Sequence, residues 1–393
     1  MKTNFNLNQL VPVFAVLIIL FALAGAWLTI STQQTAAQAL SNYLQRAPSA
    51  TPTPAVLGGL PKLSVTLVEV SSCKDCANLT TLLEGIRSLE AEVVNANTFQ
   101  YTDAEAKVFL QKYNVTRVPA AFVQGDTGNE NLTGVWTSAQ ASVREDGTVV
   151  FEPPQPPYVV VGTGETVGKV VLTLLVDEQC ALCFDYSTAS TQFKTIGMLI
   201  SEEKTIEYNS SEGRALVNQY NITKVPTILL SKDAWEYKAI TQGWPSLGSH
   251  ETDGTLVLRE VNPPYRNLES GEVKGLVSMV SITDSECASC YDVSIHKQLM
   301  ERLGLVFKNE NTYDAVNLQG KQYLERYNIT KVPTFLLSPE AGIYPAIKSI
   351  WEQLGTNETD GWFVFRNMEA LPNLTHHDLL TDKIIVPNAT TTD

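Results

Sequence analysis

The cysteines are the residues of this chain best suited to chemistry, because all six occur as pairs with two residues between the partners. Successive pairs begin a constant 107 residues apart. They are Cys73 and Cys76, Cys180 and Cys183, and Cys287 and Cys290. A thiolate can attack a disulfide sulfur, and a second thiol one turn away can resolve the mixed disulfide that forms. The pattern therefore predicts thiol–disulfide exchange.

A second signature keeps the same period and identifies the chain as a tandem array. A Tyr-Asn-[Val/Ile]-Thr-[Arg/Lys]-Val-Pro segment ends at Pro119, Pro226 and Pro333, each 43 residues after the second cysteine of its pair. An Asp-Gly pair that begins at Asp146 recurs at the same step. Self-similarity at a fixed period predicts copies of one domain, and this period is long enough for each copy to have its own core.

The second copy shows most clearly which elements must position these residues. A continuous apolar run at 169–176 predicts a buried strand that ends shortly before Cys180. We then expect a helix at 184–199, a strand at 205–209, a helix at 211–220, and strands at 225–230 and 255–258. A cysteine at the start of a helix would lie beside unpaired N–H groups, which favour its thiolate.

This order of elements, with a CxxC opening a helix and a later Val-Pro, resembles the thioredoxin fold, and the triple array resembles protein disulfide isomerases. The resemblance covers roughly residues 62 to 370 and implies an α/β chain of three tandem thioredoxin-like domains, each a mixed sheet flanked by helices. It implies exposed nucleophilic thiols at Cys73, Cys180 and Cys287, and resolving thiols at Cys76, Cys183 and Cys290. It also implies cis prolines at Pro119, Pro226 and Pro333, preceded by Val118, Val225 and Val332, whose backbone would face a bound substrate segment.

The copies depart from thioredoxins next to the motif. Where thioredoxins usually carry Trp before the first cysteine, this chain has Ser72, Gln179 and Glu286. Where they often bury an acid, it has Leu67, Leu174 and Ser281, although Glu69, Asp177 and Asp284 lie nearby in sequence. These departures favour a non-catalytic role, whereas retention of all three CxxC pairs favours catalysis.

Two other interpretations of the cysteines remain open, namely inert local disulfides and metal binding. A CxxC disulfide closes a very short loop and removes little entropy from the unfolded chain, which argues against a purely structural role. Zinc needs four ligands and one CxxC supplies two. His296 is the only imidazole near a pair, and we interpret His376 and His377 as solvated surface. We expect no metal and no cofactor.

An apolar run near the start of the chain predicts a transmembrane helix. Leu10 to Ile30 contains 21 uncharged residues, enough to cross a hydrocarbon core of about 30 Å. Together with the short tail 1–9, it predicts a single-pass anchor with a cytoplasmic N-terminus and extracytoplasmic domains. The alternative is a cleaved signal peptide and a secreted chain. Residues 31–61, rich in Pro, Ala and Gln, are interpreted as a stalk.

The period also places the domain boundaries. We predict domains at 62–157, 158–264 and 265–387, and a tail at 388–393. Pro156-Pro157-Tyr158 and Pro263-Pro264-Tyr265 lie one period apart, and we interpret them as stiff joints between domains.

Sequons and charge indicate the surroundings of the chain. Nine Asn-X-Ser/Thr sequons lie beyond the membrane segment and support export with N-glycosylation. Their asparagines are Asn78, Asn114, Asn131, Asn209, Asn221, Asn328, Asn357, Asn373 and Asn388. The net charge of −14 disfavours nucleic acid as a partner, because phosphate binding needs clustered Lys and Arg.

Two classes of function follow. The first is a membrane-anchored, extracytoplasmic thiol–disulfide oxidoreductase or isomerase that acts on exported proteins with cysteines, served by a redox partner in the membrane or outside it. The second is a non-catalytic, glycosylated cell-surface spacer or binding protein built from thioredoxin-like domains.

Overall fold

The computed structural model describes residues 59–368 and 374–386, where the chain forms three copies of one α/β unit. The predicted membrane segment, nearly all of the stalk, the C-terminal tail, Asn373 and Asn388 lie outside the described residues. No helix within the described ranges combines the length and apolar character needed to cross a membrane.

The first copy contains eight strands and three helices among the described residues. The strands are β1 Lys62–Glu69, β2 Glu92–Gln100, β3 Arg117–Val118, β4 Ala120–Gly125, β5 Ser142–Val143, β6 Val149–Phe151, β7 Tyr158–Val160 and β8 Thr166–Val167. The helices are α1 Leu79–Arg87, α2 Ala104–Lys112 and α3 Glu130–Ser138.

The second copy repeats this order. Its strands are β9 Val170–Val176, β10 Ile200–Glu207, β11 Lys224–Val225, β12 Thr227–Leu230, β13 Gly248–His250, β14 Leu256–Leu258, β15 Tyr265–Asn267 and β16 Val273–Lys274. Its helices are α4 Ala189–Thr195, α5 Ser211–Gln219 and α6 Lys238–Gly243, with 3₁₀ turns at Lys232–Glu236 and Trp244–Ser246.

The third copy does the same. Its strands are β17 Leu276–Thr283, β18 Val306–Asp314, β19 Lys331–Val332, β20 Thr334–Leu337, β21 Gly355–Asn357, β22 Phe363–Phe365, β23 His376–Asp378 and β24 Lys383–Ile385. Its helices are α7 Ile295–Arg302, α8 Leu318–Arg326 and α9 Pro345–Leu354, with a 3₁₀ turn at Pro339–Ile343.

Each copy is built on a five-stranded mixed sheet. In the first copy the order is β2-β1-β4-β6-β5, and the other two sheets have the same order with equivalent strands. The central β1 runs parallel to β2 and antiparallel to β4, so that Leu67 lies between Thr98 and Ala121. The α/β class and the mixed sheets flanked by helices are as predicted, whereas the domain boundaries remain predictions.

The central strand is buried on both faces. In β1, Leu63 and Leu67 belong to one apolar cluster with Ile86 of α1 and Trp136 of α3, whereas Val68 lies in a second cluster with Leu110 and Tyr113 at the end of α2. Alternate side chains of a strand point to opposite faces, so one strand can serve two helix layers. Burying each such Leu or Val contributes about 1.5–3 kcal/mol, which fixes the end of the strand where the CxxC begins.

The repeated Tyr-Asn segment is a helix C-terminus. In each copy the Tyr ends a helix and the following Asn is left-handed, with φ of 50° at Asn114, 49° at Asn221 and 49° at Asn328. Asn is one of the few non-glycine residues that adopt this conformation readily. Backbone geometry therefore accounts for these three asparagines whether or not the sequons carry glycans.

Asn221→Val should destabilise the second copy by about 1–2 kcal/mol, because a β-branched residue is strained at positive φ. Asn221→Gly should be nearly neutral. Both substitutions remove the same sequon, so thermal unfolding of the two variants separates backbone strain from loss of a glycan. Equal destabilisation by Val and Gly would contradict the conformational explanation.

Candidate active site

The CxxC of each copy follows the central strand and folds into two consecutive turns. In the second copy the Cys180 amide donates to the Asp177 carbonyl at 3.0 Å, and the Cys183 amide donates to the Cys180 carbonyl at 3.1 Å. The Glu207 carboxylate, at the end of the neighbouring strand, accepts from the Glu178 amide at 2.7 Å and holds the start of the turn. All three cysteine pairs are closed as disulfides.

The prediction that the CxxC opens a helix is wrong. The helices begin at Leu79, Ala189 and Ile295, which are three, six and five residues beyond the second cysteine of their copies. In the second copy α4 is also much shorter than the predicted helix at 184–199. Because the field of a helix N-terminus acts mainly within its first turn, the helices favour the thiolates less than the sequence suggested.

The three predicted cis prolines are confirmed. The bonds Val118–Pro119, Val225–Pro226 and Val332–Pro333 are all cis, and all three prolines are buried. Pro119 lines the same cleft as Cys73 and Cys76. In the third copy the hydroxyl of Tyr291, which follows Cys290, donates to the Pro333 carbonyl at 2.8 Å.

The expected exposure of the first cysteines is wrong for two sites. Cys73 is 6% exposed and Cys287 is 5% exposed, so both are buried, whereas Cys180 is partly exposed. The second cysteines, Cys76, Cys183 and Cys290, are all partly exposed. Of the three predicted nucleophiles, Cys180 is therefore the most accessible.

A hairpin follows each five-stranded sheet and pairs with the backbone beside the disulfide site. We call the hairpins at 158–167, 265–274 and 376–385 the straps. The first strand of each strap pairs antiparallel with the two residues before the cis proline, so that Val118 opposes Val159, Val225 opposes Arg266 and Val332 opposes His377. The Pro-Pro-Tyr segments interpreted as joints lead into straps 1 and 2, and Pro156–Pro157 and Pro263–Pro264 are also cis.

The straps pair with Val118, Val225 and Val332, whose expected contact with substrate stays a prediction. These valines are fully buried, and the chain's own strand pairs with the backbone that the resemblance reserves for substrate. In the second and third copies the residue just before the strap also contacts the residue that follows the CxxC. The Phe184 amide donates to the Pro264 carbonyl at 2.8 Å, and the Tyr291 amide donates to the Thr375 carbonyl at 3.0 Å.

A buried ion pair ties strap 2 to its disulfide. The Asp177 side chain is 0% exposed, and one of its carboxylate oxygens lies within 4.8 Å of the sulfurs of Cys180 and Cys183. Arg266 of the strap donates from Nε to Asp177 Oδ2 at 2.7 Å. This hydrogen bond is the largest of the effects that raise the pKa of Arg266 above its ordinary value. Sequence spacing did not show whether Asp177 lies beside the motif, and the structure places it there.

Strap 3 uses a histidine in the same place. His377 Nδ1 lies 2.7 Å from Asp284 Oδ2, and Asp284 lies beside Cys287 and Cys290 as Asp177 does in the second copy. Hydrogen bonding to Asp284, and then to Asp382, raises the pKa of His377 against the opposing effect of burial. The contribution of this interaction to the free energy of unfolding is complete below the ordinary histidine pKa of about 6.5. It is lost as the pH rises through the raised pKa of His377 in the folded chain.

In the first copy two valines occupy the positions of the ion pair. Val70 and Val159 occupy the positions of Asp177 and Arg266, and both belong to one buried cluster. A charge pair does lie next to this CxxC, since Lys169 Nζ is 2.8 Å from Asp75 Oδ2. The three sites therefore differ in the charge that surrounds equivalent sulfurs.

The histidines are buried, which corrects the interpretation of His376 and His377 as solvated surface. They are 5% and 9% exposed. His296 is 1% exposed, bonds to the Tyr291 hydroxyl at 2.9 Å, and has its pKa lowered to about 4 by burial. His296 is therefore a neutral core residue.

Asp177 and Asp284, each with two sulfurs, are the groups that come closest to a metal donor set among the described residues. Both carboxylates are already paired with strap residues, and the sulfurs are joined as disulfides. The arrangement therefore favours disulfide chemistry over metal binding.

The described sequons are accessible. Seven of the predicted glycosylation residues lie in the described ranges, and all seven are exposed. They are Asn78, Asn114, Asn131, Asn209, Asn221, Asn328 and Asn357. The Asn78 side chain also caps α1, accepting from the Thr80 amide at 2.8 Å.

Comparison with known proteins yields distant structural likenesses. No family model and no curated protein matches the sequence. Among solved structures, the N-terminal domain of alkylhydroperoxide reductase AhpF from Enterococcus faecalis is 15% identical, covers 49% of this chain and 87% of its own, and has a TM-score of 0.16. Full-length ERdj5 is 11% identical over 73% of this chain and 42% of its own, with a TM-score of 0.14. Human ERp44 is 8% identical over 70% and 77%, with a TM-score of 0.13.

At such TM-scores the assignment of fold rests on the chain itself. Sheet order, a CxxC after the central strand and a cis proline before the adjacent strand together give each copy a thioredoxin-like fold.

Proposed function

We propose that this chain of three thioredoxin-like units is a thiol–disulfide oxidoreductase or isomerase, held at a membrane by its N-terminus and acting outside the cytosol on exported proteins. The observation that carries the proposal is the threefold association of a CxxC disulfide with a buried cis proline. Two of the sites add a buried carboxylate within 4.8 Å of both sulfurs.

The second site is the best equipped of the three. Once reduced, the Cys180 thiolate attacks a substrate disulfide, a bond forms between Cys180 and one substrate sulfur, and the other substrate sulfur leaves as a thiolate. Cys183 then attacks Cys180, which releases the second substrate thiol and restores the Cys180–Cys183 disulfide. The Cys183 proton passes to solvent, because both Asp177 oxygens already accept hydrogen bonds, from Arg266 and from the Gln179 amide. Leu182, 47% exposed, offers an apolar contact for an unfolded chain.

Catalysis is tested by incubating the reduced chain with a protein whose disulfides have been scrambled. The proposal predicts that native substrate reappears much faster than in the absence of the chain. A thiol buffer takes the place of the redox partner. No acceleration at any buffer potential would leave the spacer or binding protein as the better account. Burial of Cys73 and Cys287 is the observation that favours that alternative.

The proposed location is supported by the apolar run at 10–30 and by the exposure of the seven described sequon asparagines. Protease added outside intact cells should degrade the chain beyond about residue 31. Detergent-permeabilised cells are the control for intrinsic protease resistance. Protection in intact cells but digestion after permeabilisation would place the domains in the cytosol and contradict the proposal.

A further inference from the structure

We infer that the resting sites exchange with low-molecular-weight thiols and disulfides and exclude extended polypeptides, because each strap fills the position of a substrate strand. This inference rests on the proposed function and narrows its substrate class. Polypeptide substrates then need the strap to leave first.

Each strap forms a short antiparallel ladder with the backbone before the cis proline. A polypeptide that binds a thioredoxin-like site in extended form needs the backbone before the cis proline. At all three sites that backbone already pairs in register with a strap, through Val118, Val225 and Val332. A second strand cannot use the same N–H and C=O groups at the same time.

Further hydrogen bonds and side-chain contacts hold each strap in place. Beyond each two-residue ladder, one further amide of the strap donates to the chain before the cis proline. Val161 donates to the Thr116 carbonyl at 2.9 Å, Leu268 to Thr223 at 2.8 Å, and Leu379 to Thr330 at 2.8 Å. Side chains add to this through the Val70–Val159 cluster, the Asp177–Arg266 ion pair and the Asp284–His377 hydrogen bond.

A small reagent can still reach the disulfide of the first copy through an open cleft. In the first copy a cleft of about 220 Å³ is lined by Cys73, Cys76 and Pro119, and none of its lining residues belongs to strap 1. The cleft reaches both sulfurs and therefore admits a small thiol, and Lys74 and Asn78 on its wall offer polar contacts to one.

The chemistry balances with the small thiol as the reductant. Its thiolate attacks one sulfur of the CxxC disulfide, a mixed disulfide forms, and the other cysteine leaves as a thiolate. A second small thiolate then attacks the sulfur of the bound small molecule, which leaves as a symmetrical disulfide. Two small thiols are oxidised, and one CxxC gains two electrons and two protons.

The first test uses the chain produced without glycans, so that a glycan on Asn78 cannot shield the first site, and it compares two reagents. One is free N-acetylcysteine and the other is a flexible polypeptide with a single cysteine, and rates are expressed per thiolate to correct for thiol pKa. Alkylation and mass spectrometry of peptides report each CxxC separately. We expect the small thiol to reduce Cys73–Cys76 at least about tenfold faster than the polypeptide does. Equal rates per thiolate would overturn the inference.

The second test loosens one strap at a time. Val161→Pro, Leu268→Pro and Leu379→Pro each remove the strap amide that donates to the strand before the cis proline. The polypeptide thiol should then reduce the site beside the altered strap on the order of tenfold faster, with little change at the other two sites and little change for N-acetylcysteine. Matched controls are Glu165→Ala and Glu269→Ala, exposed positions in straps 1 and 2.

Equal acceleration of both reagents would overturn the inference, because it would indicate general exposure of the sulfurs. So would an unchanged polypeptide rate when hydrogen exchange shows that the strap has opened. Reduction by excess thiol is stoichiometric and needs no turnover. Failure of the proposed function would therefore leave these ratios intact, and failure of the inference would leave catalysis on scrambled substrates intact.

Discussion

Joint replacement of Cys73, Cys180 and Cys287 by serine should bring disulfide exchange on a scrambled substrate down to the uncatalysed rate, a loss of at least about 100-fold. A serine hydroxyl is not ionised at neutral pH and cannot form a mixed disulfide, so no intermediate can accumulate. The measurement is the rate at which native substrate reappears. Activity that survives in the triple variant would show that Cys73, Cys180 and Cys287 are not the required nucleophiles, because Cys76, Cys183 and Cys290 remain.

The single variants should divide this loss unequally. Cys180→Ser should cost the most, because Cys180 is the most accessible of the predicted nucleophiles and Leu182 beside it is exposed. Cys73→Ser should cost least with a protein substrate, because Cys73 is buried and a glycan on Asn78 would lie beside its disulfide. The opposite order would refute the assignment of the second site as the main catalyst.

Arg266→Val should destabilise the second copy by about 3–5 kcal/mol, because it leaves the fully buried Asp177 carboxylate without its partner. The double variant Asp177→Val/Arg266→Val copies the Val70–Val159 pair of the first copy and should recover most of that loss. Hydrogen exchange of β11 and β15 measures the local free energy of opening.

Lys274→Ala is the matched control. Its ion pair with Glu272 lies in the same strap but is exposed, so its removal should cost at most about 1 kcal/mol. If Arg266→Val costs no more than this control, the ion pair does not hold strap 2. If the double variant is as unstable as the single one, Asp177 has some other role in the turn.

The parts of the fold that follow from local pattern were predictable from sequence. A continuous apolar run gave β9 within one residue at its start, and the helix at 211–220 became α5 Ser211–Gln219. The cis prolines followed because only X-Pro bonds adopt that form readily and the motif kept a constant distance from the CxxC.

The straps were not predictable in the same way, because their partners are far away in sequence. Arg266 and Asp177 are 89 residues apart, and His377 and Asp284 are 93 apart. A prolyl pair before a short strand also resembles a linker, which is how Pro263-Pro264-Tyr265 was interpreted. Comparison of the first two copies could have revealed the pair, because Val70 and Val159 are both replaced by charged residues of opposite sign, Asp177 and Arg266.

The start of the helix after the CxxC was also misplaced. Phe184 continues an amphipathic pattern, but its amide donates to the carbonyl of Pro264, the residue just before strap 2. Tyr186 is buried, and its hydroxyl accepts from the Asn262 amide. These distant contacts hold residues 184–188 out of a helix, and no local preference reveals them.

Equilibrium titration of the three disulfides against buffers of defined potential decides whether the CxxC pairs are redox-active. Alkylation and mass spectrometry of the folded chain would report each pair separately. The reduction potentials of redox-active sites should lie between about −300 and −120 mV. The second site should fall in this range even if the other two do not. The three potentials should also differ, because the surroundings of equivalent sulfurs are the apolar Val70 and Val159 in the first copy, Asp177 with Arg266 in the second, and Asp284 with His377 in the third. If all three pairs stay oxidised below about −300 mV, they are structural disulfides and the redox account is contradicted.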